Sequence, residues 1–134
     1  MTSRTGADLI IEALQQYGVS HVFGNPGTTE LPIVRAIANS DLEYVLGLHE
    51  DIAVGMAAGY AQTRRYHAVG DESITPLGVA NLHLAQGLAH GLGNLINAAF
   101  TGAPVLVTAG NHSRGFRHEE PILSGDLVAM TDQY

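Results

Sequence analysis

Four short strand-like runs, Val19 to Phe23, Glu43 to Leu48, Leu77 to Leu82 and Pro104 to Gly110, recur along the chain, and a segment suited to a helix separates each from the next. Alternation of this kind implies right-handed crossovers and a parallel sheet covered on both faces. The expected class is α/β, a parallel sheet with helices on both faces. The run from Pro104 to Gly110 is apolar enough to be a strand buried on both sides.

The intervening segments support this reading. Ala7, Leu9, Ile10, Ala13, Leu14 and Tyr17 repeat at helical spacing, with Thr5 as N-cap and Gly18 as the stop. Glu30 to Val34 opens a second helix, where Pro32 is harmless because a first-turn N–H has no partner to lose. Ile52 to Ala61 is small and apolar nearly all round and ends at the basic pair Arg64 and Arg65, which predicts a buried helix. Gly87 to Phe100 reads as another small-residue helix. Tyr66 to Pro76 is a polar, turn-rich surface loop. Beyond Ser113 the chain turns irregular, with one short helix expected near Leu127 to Thr131 and no evident closing element.

Composition narrows the partners. The 134 residues suffice for one domain with a real core. Thirteen acidic against six basic residues give a net charge of −7, the wrong sign for gripping a phosphate backbone, so no nucleic acid is expected. Only 14% of residues are charged, which predicts that part of the surface is an interface. No cysteine is present, which removes disulfides, zinc–thiolate centres and a thiol nucleophile. Met1 to Gly6 leads straight into a pattern carrying Asp8 and Glu12, with no long apolar run, so no leader is expected. Glycines, histidines and Pro104 interrupt the sparsely charged stretch from Ser73 to Ser113, so no membrane span is expected either, and the location read from these features is cytoplasmic.

Ligands of parallel sheets collect at the carboxyl ends of the strands. Each strand here ends in polar or glycine-rich residues: Gly24-Asn25-Pro26-Gly27, His49-Glu50, Asn81-Leu82-His83 and Gly110-Asn111-His112. Four ends therefore converge on one expected site. Each residue also has a plainer reading. Glu50 could be a solvated carboxylate favoured at a helix start. His83, between Leu82 and Leu84, could be a core histidine, and Gly24 to Gly27 only a tight turn. Thr28 suits a helix N-cap as well as a substrate contact. His112, His118, Glu119 and Glu120 follow no metal-ligand spacing, so no metal is assigned.

The string Phe23-Gly24-Asn25-Pro26-Gly27-Thr28-Thr29-Glu30-Leu31-Pro32, then Leu48-His49-Glu50, Gly55-Met56-Ala57-Ala58-Gly59-Tyr60-Ala61, Asn81-Leu82-His83 and Pro104-Val105-Leu106-Val107-Thr108-Ala109-Gly110, resembles thiamine-diphosphate-dependent 2-keto acid decarboxylases and synthases. The likeness is greater to benzoylformate decarboxylases than to acetolactate synthases, and it covers nearly the whole chain. It implies a pyrimidine-binding domain: Glu50 contacts the pyrimidine N1′ nitrogen, Asn25, Pro26 and Gly27 bind the cofactor, and Thr28 and His83 stand at substrate-contacting positions. Such a carboxyl group works best where burial raises its pKa, and Glu50 follows an apolar strand.

The departures matter as well. In that family a second domain holds the magnesium diphosphate through Gly-Asp-Gly and a later Asn-Asn. Here Gly70-Asp71-Glu72 lacks the third glycine and no Asn-Asn occurs, so Mg2+ is expected only through a partner domain. Gly87-Leu88-Ala89-His90 replaces a turn richer in glycine and asparagine, and Asp71-Glu72-Ser73 tips an enlarged loop. Residues 1–134 are thus expected to form a single partial domain, inactive alone, read first as a folded remnant or fragment of a 2-keto acid decarboxylase or synthase and expected to pair with a second copy. The alternatives are one chain of a two-chain enzyme completed by a separate diphosphate-binding subunit, and a non-catalytic interaction module on the same fold.

Overall fold

The computed structural model describes residues 4–134. Residues 1–3 of the stretch read as leaderless lie outside the described residues. The elements are α1 (Gly6–Gln16), β1 (His21–Gly24), α2 (Leu31–Ala38), β2 (Glu43–Leu46), α3 (Glu50–His67), β3 (Gly78–Leu82), α4 (Leu84–Thr101), β4 (Val105–Ala109) and α5 (Leu127–Thr131), with single 3-10 turns at Thr28–Glu30 and Arg117–Glu119. The four strands form one parallel sheet in the order β2-β1-β3-β4. The α/β expectation is met.

Two apolar clusters explain why both faces are covered. Ile11 and Leu14 of α1 and Ala36 and Ile37 of α2 pack with Val22 and Val79 on one face. Ala53, Val54 and Ala57 of α3 and Leu88 of α4 pack with Phe23, Ala80 and Leu82 on the other. Neighbours along a strand point to opposite faces, and Val22–Phe23 and Val79–Ala80 divide accordingly.

Local chemistry sets the boundaries. Thr5 caps α1 as expected: the Asp8 amide donates to Thr5 Oγ1 at 3.2 Å and the Thr5 amide donates to Asp8 Oδ2 at 2.8 Å. A cap of this type contributes about 1 kcal/mol. Gly18 stops the helix at φ 72°, a backbone conformation that penalises a side chain. Pro32 lies in the first turn of α2, where it costs nothing. α5 spans the residues expected.

Three expectations need correction. α3 begins at Glu50 itself, not Ile52, and α4 begins at Leu84, three residues before the expected start. β3, not β4, is the strand buried along its whole length. β4 lies at the sheet edge and is only half-buried, with Leu106 40% exposed. Its apolar run reads alike for a central strand and for an edge strand packed on one face, so the sequence did not separate them. No helix among the described residues is long and apolar enough to cross a membrane.

Candidate functional site

Packing of α3 against α4 positions the first half of the site. Glu50 occupies the first turn of α3, behind the N-cap His49, whose Nδ1 accepts from the Asp51 amide at 3.2 Å. The carboxylate of Asp51 then takes the Asn94 amide at 2.7 Å and the Asn94 side chain at 2.9 Å. This clamp fixes the start of α3 to the middle of α4. Glu50 turns inward as a result and is 7% exposed, so its plainer reading as a solvated carboxylate fails. Its Oε2 lies 3.2 Å from Nδ1 of His90 on α4.

The Glu50 carboxyl is held below the ordinary carboxylate range, contrary to the expected rise. Burial is the largest single influence and does push upward, but the helix-start backbone amide, the hydrogen bonds from His90 and Asn25, and the charge of His90 together outweigh it.

At the strand ends a second carboxylate is buried more deeply. Glu30, 1% exposed, receives the Gly27 amide at 2.8 Å, the Thr29 hydroxyl at 2.6 Å and lies 2.7 Å from His83 Nδ1. A carboxylate out of water needs such donors to remain charged. With Nδ1 turned to Glu30, a neutral His83 presents Nε2 as its free acceptor. Gly110, at the end of β4, leaves the room that Glu30 occupies: a Cβ there would collide with Glu30 Oε1. A Cβ at Gly27 would strike the His83 ring in the same way. Leu84, next to His83, has φ 52°, a conformation costing a non-glycine residue on the order of 1 kcal/mol, and it turns β3 abruptly into α4.

Tyr44, Asn81 and Thr108 extend this polar layer across the sheet. The Tyr44 hydroxyl donates to Asn81 Oδ1 at 3.3 Å and Asn81 Nδ2 donates to Thr108 Oγ1 at 3.0 Å. Burial, with the nearby Glu30 charge adding to it, pushes the Tyr44 hydroxyl far above its usual range.

Of the residues expected at the site, Glu50, Asn25, Pro26, Gly27 and His83 do gather at the strand ends. Asn25 reaches Glu50, Gly27 lies against His83, and a Cβ at Gly87 would sit 3.0 Å from Glu50 Oε1 and 3.3 Å from His83 Cβ. His83 is not a core residue, for its side chain is 24% exposed. Thr28 is exposed and borders a shallow hollow with Thr5, Asp8 and Arg35, and it caps no helix: Gly27 precedes the 3-10 turn and Glu30 stands at the N-cap of α2. The hydroxyl beside His83 is that of Thr29, 3.3 Å from Nδ1. Among the described residues His118 pairs with its neighbour Glu119 alone, whereas His49, Glu50 and His90 are the three ligand-type side chains that converge.

Sequence reasoning assigned no role to Glu30, Thr29, Tyr44 or His90. Glu30 reaches back to the Gly27 amide as the second half of a capping box does, but Gly27 has no side chain to supply the first half, so no sequence signature marked it.

Comparison with known proteins gives a consistent picture. Residues 4–133 match the family described as thiamine pyrophosphate enzyme, N-terminal TPP binding domain. The chain is 38% identical over 113 residues to benzoylformate decarboxylase of Pseudomonas aeruginosa, covering 84% of this chain and 19% of that protein. It is 41% identical over 64 residues to the acetolactate synthase large subunit of Haemophilus influenzae, covering 47% of this chain and 11% of that one. The crystal structure of benzoylformate decarboxylase from Polynucleobacter necessarius superposes with a TM-score of 0.84 at 29% identity, over 98% of this chain and 23% of that one. The chain thus spans about a fifth of the length of the benzoylformate decarboxylases it matches.

Proposed function

This chain belongs to the family of thiamine pyrophosphate enzyme N-terminal TPP-binding domains, and from that premise we propose that Glu50 receives the aminopyrimidine N1′ of thiamine diphosphate within a 2-keto acid decarboxylase or acetolactate-synthase-type carboligase. The observation that carries this reading is a carboxylate 7% exposed at the start of α3, beside Asn25 at the end of β1. The donor set fits the ring: Glu50 would offer a carboxyl oxygen to the ring nitrogen and Asn25 an amide side chain beside it, with Pro26 and Gly27 next in the chain. When bound, thiamine diphosphate supplies the nucleophilic carbon and the electron sink for decarboxylation.

The chain's own residues do the rest. Glu50 holds a proton toward N1′, and because its carboxyl is ionised before the ring arrives, binding takes up a proton. His83, locked through Nδ1 by Glu30, offers Nε2 to the substrate side. Thr28, which borders the hollow of Thr5, Asp8 and Arg35, takes no part in this reading. Magnesium and the diphosphate fall to a second domain, on another copy or a separate subunit, so the single domain formed by residues 1–134 does not turn over alone. A second copy is favoured by the exposed apolar residues Leu46, Leu48, Ile52, Ile96 and Phe100 around β2 and on α3 and α4. A cytoplasmic location completes the reading, and cell fractionation tests it.

The decisive test follows backbone amide NMR signals of the chain under thiamine diphosphate and Mg2+ at millimolar concentration, where weak half-site binding is still visible. Saturating shifts centred on Asn25, Gly27 and Glu50, weakened at least about tenfold in Glu50→Gln, are the expected result. Shifts elsewhere, or equal binding by the variant, overturn the assignment. Light scattering reports whether the bound species is a dimer.

A further inference from the structure

We propose that His49, Glu50 and His90 form a binding site for a borderline divalent transition ion such as Zn2+, Co2+ or Ni2+. One ligand-type atom from each residue lies within 4.8 Å of the others. The imidazole rings of His49 and His90 face each other with centroids 5.1 Å apart and planes 27° apart, and Glu50 Oε2 lies 3.2 Å from His90 Nδ1.

Two imidazoles and one carboxylate make a donor set that favours zinc and its neighbours over magnesium, and three protein ligands leave an open coordination position. Tetrahedral zinc needs its ligand atoms about 3.3 Å apart, given bonds near 2.0–2.1 Å. Glu50 is fixed, but His49 and His90 are exposed, with the His90 side chain 53% accessible, so small rotations of the two rings close the gap. The frame behind them does not have to move, because the Asp51–Asn94 clamp already sets α3 against α4.

A neutral imidazole has one lone pair, so ligation by His49 replaces the bond it accepts from the Asp51 amide. That amide therefore reports on the metal. The same ion takes the Glu50 carboxylate away from any other ligand. Metal and thiamine diphosphate then exclude each other, a consequence that rests on the proposed function, whereas the metal site itself does not.

The experiment is a Co2+ titration of the chain without cofactor, read by visible d–d absorption and by the Asp51 amide signal. One Co2+ per chain is expected, displaceable by Zn2+ and not by Mg2+. His90→Asn and His49→Gln, both at exposed positions, each weaken binding by more than about tenfold, since loss of even an outer-sphere partner costs that much. A His112→Asn/His118→Asn double variant binds as the parent does. Absence of stoichiometric binding, undiminished binding in His90→Asn, or loss of binding in the double variant overturns the site. If cobalt binds as expected and thiamine diphosphate does not compete, the metal site stands and the assignment of Glu50 to the pyrimidine fails.

Discussion

Two carboxylate–histidine pairs stand at the candidate site, Glu30–His83 and Glu50–His90, and they live in different surroundings. Glu30 meets His83 beneath the strand ends, with its side chain fully enclosed and three donors on its two oxygens. Glu50 meets His90 at the rim, where the histidine side chain is 53% exposed and the contact is 3.2 Å rather than 2.7 Å. A closed, fully satisfied pair holds geometry. An open pair with an exposed partner can exchange that partner for a ligand, and the proposed chemistry and the proposed metal both use Glu50 for this reason.

Truncation should separate the pairs most clearly. Glu30→Ala leaves the His83 ring, the Gly27 amide and the Thr29 hydroxyl without their acceptor, and it should cost about 3–5 kcal/mol in urea unfolding. Glu50→Gln keeps the shape and one acceptor oxygen but gives up the charge that the helix-start amide, His90 and Asn25 stabilise, so its cost should be about 1 kcal/mol, well below that of Glu30→Ala. Equal losses in the two variants would break the distinction between a holding pair and an open one.

A smaller effect comes from the space that the deep pair requires. Gly110→Ala puts a methyl group where Glu30 Oε1 lies, and overpacking of this kind costs about 1–3 kcal/mol. The displaced carboxylate should also release His83, seen as a change in its ring-nitrogen NMR shifts while those of His90 stay put. If both histidines respond, the two pairs are one network and not two.

The closed pair was the less legible of the two in the sequence, and the reason is physical. Strand–helix alternation shows the class, and the polar strand ends show where ligands gather, because both signals are local. Glu30 reads locally as an acidic residue in a first helical turn, and its burial depends on Gly110, eighty positions later in the chain. Glu50 was legible because its flanking residues resemble a family, but the direction of its pKa shift was not. Burial could be anticipated from the apolar strand before it. His90 lies on another helix, and only packing brings it to the carboxylate. The edge position of β4 escaped for the same reason, since strand order is a property of the assembled sheet.

The finest test concerns the rim pair alone. Glu50 has a folded pKa depressed below the ordinary carboxylate value, so the stability it contributes is present above that value and is lost as pH falls through the folded pKa. His90→Asn removes one hydrogen bond and one positive charge from the influences that lower it, leaving burial less opposed. The Glu50 carboxyl should then titrate at higher pH in carbon-detected NMR. The variant should be less stable than the parent by a few tenths of a kcal/mol near neutral pH, a difference that fades in acid once both proteins hold the proton. A carboxyl that protonates more readily also needs less proton uptake when a ring nitrogen arrives, so calorimetric proton uptake on thiamine diphosphate binding near pH 5 should fall in the variant. An unchanged Glu50 titration would mean that His90 is a bystander to the carboxylate, and the rim pair would then be held by the backbone and Asn25 alone.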